Sequence, residues 1–177
     1  MTTFETNRLR CQSLSLRDYT DFEAGVEPRW KGFSNPYKHL IEGPSPLKHR
    51  IPRVKREPEF AEIGLFLAIE KASNEIIGSA GFHDFPDEKG MIEIGFGIVP
   101  EKQNQGFGTE LLIGMWKMIC LRPDVQNLRY TVSPENKSSV HIIKRMGFEK
   151  VGEQMDPEDG LELIYEKTSK EFRSSGL

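Results

Sequence analysis

Gln103-Asn104-Gln105-Gly106-Phe107-Gly108-Thr109 is the stretch on which the reading of this chain turns. It follows the alternating run Met91 to Val99, which reads as a strand, and opens the run Leu111 to Leu121, which reads as a helix. Glycines at 106 and 108 let the backbone approach a ligand with no Cβ in the way, and the unpaired N–H groups of a helix's first turn point at the same place. Strand, glycine cradle and helix together make a candidate phosphate-binding unit. Taken by itself, a Gly-x-Gly in a chain with 16 glycines also describes a plain turn into a helix.

After the cradle, Leu111, Leu112, Met115, Met118 and Ile119 form an apolar helical stripe. Leu128 to Val132 reads as a strand and Pro134 to Met146 as a helix with Gly147 as its C-cap, and Phe148 to Gly152 and Leu161 to Glu166 add two strands. Before the cradle, Ile63 to Glu70, Glu75 to His83 and Met91 to Val99 read as a meander whose last turn is Asp87-Glu88-Lys89-Gly90. Thr6 to Gln12 reads as an opening strand, followed by a helix carrying Tyr19, Phe22 and Ala24. Residues 28 to 58 break the pattern, with Pro36, Pro44, Pro46 and Pro52 set among Lys38, Lys48, Arg50, Arg53, Lys55 and Arg56. That segment reads as an irregular or short-helical, locally basic insertion, either functional or simply solvated.

At 177 residues the expectation is one domain, 1–177, carrying that insertion. With 24 Lys and Arg against 27 Asp and Glu, the net charge of −3 provides no overall basic field, so DNA is not an expected partner. The two cysteines, Cys11 and Cys120, lack metal-ligand spacing and read as buried thiols, so neither a metal site nor a disulfide framework is expected. No apolar stretch approaches the roughly 18 residues needed to cross a bilayer, and Met1 to Arg10 lacks the apolar core of a signal peptide. The expectation is a cytoplasmic protein without membrane contact.

Ile98-Val99-Pro100 leading into Gln103-x-x-Gly106-x-Gly108, then Asn136-x-x-Ser139 and Gly147-Phe148, resembles the GNAT superfamily of N-acetyltransferases over nearly the whole chain. Glu5-Thr6-x-Arg8-Leu9 is similar to the subgroup containing ribosomal-protein N-terminal acetyltransferases. The resemblance implies an α+β fold: a mostly antiparallel mixed sheet of six to seven strands, about four flanking helices, and a splayed strand at the cofactor site. It also implies acetyl-CoA as cosubstrate, with no metal. Backbone amides of Gln103, Asn104, Gln105, Gly106, Phe107, Gly108 and Thr109 would hold the pyrophosphate. The strand edge at Phe96, Ile98 and Val99 would pair with pantetheine, and Asn136 would bond it too. A helix start supplies such convergent N–H donors without a Walker-type lysine, although Asn136 equally reads as a helix cap.

The implied activity is transfer of an acetyl group to a primary amine by direct attack in a ternary complex. An alkyl ammonium has a pKa of about 10 and an N-terminal amine of about 8, so the acceptor must lose a proton. Glu93, on the strand face opposite Ile92 and Ile94 and beside Gly95 and Gly97, is the first candidate base; it also reads as a cross-strand ion-pair or solvent-facing residue. The acidic group Asp156, Glu158 and Asp159 is the second candidate. Many family members protonate the departing thiolate from a tyrosine four residues before the Gly-Phe pair, where this chain has Ile143. Ser139, one helical turn beyond Asn136, is the substitute or the holder of a water, with helix packing as the other reading. His83, at the end of its strand, reads either as a residue lining the acceptor cleft or as a structural histidine. The acceptor stays open between a protein N-terminus and a small-molecule amine, with a homodimer as an option. A non-catalytic CoA sensor or protein-interaction module is the competing reading, and docking of the basic insertion on RNA or a ribosomal surface is a third.

Overall fold

Ser15 and Asp18 cap each other at the head of α1 (Leu16–Glu23). The Ser15 hydroxyl accepts from the Asp18 N–H at 3.2 Å and Asp18 Oδ2 accepts from the Ser15 N–H at 2.7 Å, so two donors that a helix start leaves open are satisfied locally. The computed structural model describes residues 1–43, 45–158 and 160–177. They form two compact units, Met1–His83 with Phe96–Met115, and Asp84–Gly95 with Trp116–Leu177.

In the first unit β1 (Thr3–Glu5), β2 (Leu9–Ser13), β3 (Phe66–Glu70) and β4 (Glu75–Phe82) pair antiparallel in that order, and the second half of β5 (Met91–Ile98) lies next to β4. Period-two burial is clean in β2, where Leu9, Cys11 and Ser13 are buried and Arg10 and Gln12 are half-buried. In the second unit the first half of β5 pairs parallel with β6 (Asn127–Val132), which pairs antiparallel with β8 (Gly160–Thr168) and through it with β7 (Glu149–Asp156). The sheet is therefore mixed and mostly antiparallel. Helices α4 (Lys137–Arg145) and α5 (Ser169–Ser174) belong to this unit.

Among the described residues the strands number eight against the six to seven expected, and the α-helices five against about four, within the expected mixed, mostly antiparallel architecture. The expected strand over Thr6–Gln12 begins only at Leu9, because Thr6 and Arg8 turn aside to bond Glu110, and the three-residue β1 lies ahead of it. The short α5, closed by a Thr168–Glu171 capping box, offers too few turns for a periodic signal. The expected strand from Ile63 begins only at Phe66: Pro58–Glu62 is a 3-10 turn whose Phe60 carbonyl accepts from both Ile63 and Gly64. Pro44 and Asp159 lie outside the described residues.

The basic insertion folds partly as α2 (Leu47–Arg56), and much of its charge is engaged within the first unit. Lys38 meets Glu27 at 2.9 Å, Arg53 meets Glu57 at 2.6 Å and Lys55 meets Glu23 at 2.8 Å. Arg50 is buried, with its Nε donating to the Gly64 carbonyl at 3.1 Å. These pairings weaken the reading of the segment as an RNA-docking surface. Among the described residues no helix is long and apolar enough to cross a membrane.

α3 (Phe107–Ile119) buries Leu111, Leu112, Met115 and Ile119 as its stripe predicts, and also Trp116, whose ring tilts against Phe148 at 5.8 Å. Both cysteines are buried: burial pushes the Cys11 thiol up to about 12, with the Glu110 charge adding to the rise, and it also raises Cys120.

β4 and β5 approach most closely at two glycines. A Cβ on Gly78 would stand 2.3 Å from the Gly97 carbonyl oxygen, whereas a Cβ on Gly97 would meet nothing within 4 Å. Gly78→Ala is expected to cost about 2–3 kcal/mol or more through overpacking against backbone. Gly97→Ala should be neutral or stabilising by up to about 1 kcal/mol, since glycine weakens a strand. Urea unfolding of the two variants checks the contrast; equal losses would show that β4 and β5 lie further apart.

Candidate active site

β5 changes character along its length. Ile92 and Ile94 are buried, while Phe96 and Ile98 are only half-buried. Its parallel pairing with β6 covers Met91↔Asn127, Ile92↔Leu128 and Glu93↔Arg129 and goes no further, although β6 continues to pair with β8 through Val132. The ladder therefore stops short of Phe96 and Ile98, as a splayed cofactor strand requires.

Val99 ends the strand and is buried, its N–H bonded to the Ile77 carbonyl at 2.9 Å. A 3-10 turn, Pro100–Lys102, then delivers the chain to Gln103 in extended conformation. Asn104 and Gly106 have φ of 58° and 80°, left-handed backbone that glycine adopts without strain. Gln103, Asn104, Gln105 and Gly106 are exposed, Phe107 is buried under the helix, and Gly108 and Thr109 are half-buried. Among the described residues, Glu110 is the first after Gln103 whose N–H finds a backbone acceptor, the Gly106 carbonyl at 3.1 Å. The N–H groups of 104–109 are thus left for a ligand at the positive end of a helix dipole. A Cβ on Gly106 would meet only Arg8 Nη2, at 3.4 Å. A diphosphate fits this cradle. One expected contact is altered: the Ile98 carbonyl, a prospective partner for pantetheine, accepts from Gln103 Nε2 at 2.9 Å.

In the second unit the candidate proton-handling residues meet partners that the sequence did not disclose. Glu93 is half-buried and its Oε1 accepts from the Thr131 hydroxyl at 2.5 Å. The cross-strand Arg129 instead holds Glu166. Asn136 is the N-cap of α4: its Oδ1 accepts from the Ser139 N–H at 3.1 Å, which leaves its Nδ2 as a donor. Cap and ligand-binding readings of Asn136 are thereby compatible. Ser139 is buried and hydrogen-bonded to Tyr130 on β6. Burial pushes the Tyr130 phenol up to about 12 even though that hydrogen bond lowers it, with Glu162 adding to the rise, so it stays protonated at neutral pH. Tyr130 was missed in the sequence. The alternation Leu128, Tyr130, Val132 marks it as buried, and a buried tyrosine hydroxyl usually has a partner, but only the fold names Ser139. In the second acidic group Asp156 Oδ1 accepts from the Glu158 N–H at 2.7 Å, a local turn.

His83 is exposed just past the end of β4. His39 lies in the first unit with its Nε2 2.8 Å from the buried Ser79 hydroxyl, and burial pushes its imidazole down to about 4.

The chain matches the Acetyltransferase (GNAT) domain family over residues 8–149 and belongs to that family. The N-acetyltransferase YoaA of Bacillus subtilis is 27% identical over 150 residues, covering 81% of this chain and 84% of that protein. Among solved structures, a GNAT-family acetyltransferase from Bacillus anthracis superimposes with a TM-score of 0.65 at 18% identity, over 96% of this chain and 99% of that one. The ribosomal-protein-S5-alanine acetyltransferase of Vibrio fischeri gives 0.68 at 14% identity, over 97% and 99%. The spermidine/spermine N-acetyltransferase SpeG of Vibrio cholerae gives 0.67 at 14%, over 96% and 98%. At such identities these likenesses establish the fold.

The buried His39 gives the first unit an acid-side weakness. The unfolded chain binds its proton near pH 6.5 and the folded chain only near pH 4, so stability present above pH 6.5 drains away as the pH falls to 4. His39→Gln, which does not titrate, should flatten the dependence of unfolding free energy on pH in that window by about 1.4 kcal/mol per unit. Urea titrations at several pH values measure this; an unchanged slope would place the imidazole in solvent.

Proposed function

We propose that this chain, residues 1–177 acting as one acetyltransferase domain in the cytoplasm, transfers the acetyl group of acetyl-CoA to a primary amine within a ternary complex. The observation that carries the reading is the run of unpaired N–H groups at 104–109, set directly after a strand whose parallel ladder has ended, in a chain of the GNAT family. Acetyl-CoA supplies an acyl group on a good leaving group, so the amine needs only to lose a proton and the sulfur only to gain one.

The cradle amides from Asn104 to Thr109 hold the pyrophosphate, the Gln103 N–H expected to join them being bonded to the Pro100 carbonyl at 3.2 Å, and the strand edge at Phe96, Ile98 and Val99 together with Asn136 Nδ2 holds the pantetheine arm. Glu93, steadied by the Thr131 hydroxyl, accepts the proton of the acceptor's ammonium group, directly or through a water. Ser139 offers its hydroxyl to the departing sulfur, with Tyr130 as the hydrogen-bonded group behind it. Tyr130 thus provides the phenol that Ile143, buried in α4, cannot. Protein N-termini and polyamines both satisfy the acceptor chemistry, and the two kinds of fold relative act, by name, on one or the other.

Gly106→Val places a β-branched residue at a φ of 80° in the exposed cradle, so acetyl-CoA affinity should fall at least about tenfold while backbone strain of about 1–3 kcal/mol lowers the melting temperature by several degrees without abolishing the fold. Calorimetric titration with acetyl-CoA checks it, and parental affinity in the variant would remove the cradle from the site. Glu93→Gln should lower turnover chiefly below about pH 8, where the acceptor is protonated, with rates converging on the parent as the pH approaches that of the free amine. A pH–rate profile of unchanged shape would eliminate Glu93 as the base.

A further inference from the structure

Three donors from the turn between β1 and β2 converge on one carboxylate of α3. Thr6 Oγ1 and the Arg8 N–H each donate to Glu110 Oε1 at 2.6 Å, and Arg8 Nε donates to Glu110 Oε2 at 2.7 Å. The same guanidinium donates from Nη1 to the Gln105 carbonyl at 2.9 Å and stacks 4.1 Å above the Phe107 ring. Its Nη2 stands 3.4 Å from the place a Gly106 Cβ would take. One side chain therefore touches or borders the cradle at 105, 106, 107 and 110. The helix accommodates the turn because Gly114 has no side chain: a Cβ there would meet Thr6 Cγ2 at 2.7 Å and Phe4 Cε2 at 2.8 Å.

This arrangement has two effects on a bound diphosphate. A trans peptide is planar, so the N–H of Gly106 points opposite to the carbonyl of Gln105. Anchoring that carbonyl on Arg8 fixes the direction in which the Gly106 N–H is offered. Glu110 is also an ionised carboxylate in the first turn of α3, close behind the donors. Burial raises its pKa, but the bonds from Thr6 and Arg8 outweigh that and hold it below the ordinary glutamate range. Unneutralised, it would repel a diphosphate, and Arg8 cancels it through Nε while Nη1 of the same planar guanidinium holds the Gln105 carbonyl, a fork to two partners that a lysine cannot reproduce.

We propose that Arg8 is a positioning residue for the diphosphate of acetyl-CoA, aiming the Gly106 N–H through the Gln105 carbonyl and neutralising Glu110 behind the cradle. The inference rests on the acetyl-CoA reading of the cradle. It assigns a task to the Glu5-Thr6-x-Arg8-Leu9 segment, which the proton chemistry leaves unused.

The test compares acetyl-CoA with acetyl-pantetheine, a thioester that lacks the diphosphate. Arg8→Gln should raise the Kd and KM for acetyl-CoA about tenfold, leave kcat at saturation within about twofold, and leave kinetics with acetyl-pantetheine as in the parent. Adding Glu110→Gln should recover much of the lost affinity, since the unpaired charge disappears with its partner. Should Arg8→Gln not fold, Arg8→Lys keeps the charge without the fork and should show a smaller rise, again confined to acetyl-CoA. Equal losses with both thioesters, or parental affinity for acetyl-CoA in the variant, would overturn the assignment while the acetyl-CoA reading stands. A parent protein that does not bind acetyl-CoA would overturn both.

Discussion

A parallel ladder that ends after three residue pairs is the constraint on which this fold is arranged. Up to Glu93, β5 is an ordinary interior strand, with Ile92 and Ile94 buried. Beyond it the strand is held from the β4 side, by the Gly78–Gly97 approach and the bond from Val99 N–H to Ile77. An interrupted ladder is costly unless something else satisfies the backbone it exposes, and it persists where a ligand is to do so. The cradle starts where this strand ends, and the 3-10 turn between them returns the Gln103 side chain to the Ile98 carbonyl. Strand end and cradle are thus tied together before any cofactor arrives.

In the second unit, the atoms that two residues commit to structure differ from those the proposed chemistry would use. Asn136 spends its oxygen on the cap of α4 and keeps its amide hydrogens. Ser139 is fixed at both ends, its N–H by that cap and its hydroxyl by Tyr130. In the proposed transfer, a hydroxyl fixed in this way would have little rotational freedom left to lose on meeting a departing sulfur, the advantage of preorganised donors over water.

Periodicity made the strands from β3 onward and the α3 stripe readable, because alternation and 3.6-residue recurrence are local properties. The cradle was readable for the same reason: a strand, two glycines and a helix lie within one short run. Pairings between distant positions were not. Nothing near Arg8 points to Glu110, 102 positions away, and Tyr130 reads as core until the fold sets Ser139 against it. The opening strand shows the same limit from the other side. Thr6 through Gln12 has strand-like local pattern, yet three hydrogen bonds to one helix carboxylate outweigh that propensity and hold the strand off until Leu9. The basic insertion was legible as charge but not as commitment, since Glu23, Glu27 and Glu57 had to be located before its lysines and arginine could be seen as paired.

The burial of Cys11 and Cys120 has a consequence for an enzyme that would discharge a free thiol at every turnover. Mixed disulfides form through thiolate attack, and their rate depends on how readily a protein sulfur ionises and is reached. Cys11, wholly covered and pushed up to about 12, and Cys120, covered and raised as well, are poor partners on both counts. An acetyl-CoA-dependent enzyme built this way would offer its thiol product two protein sulfurs that are both covered and held as thiols.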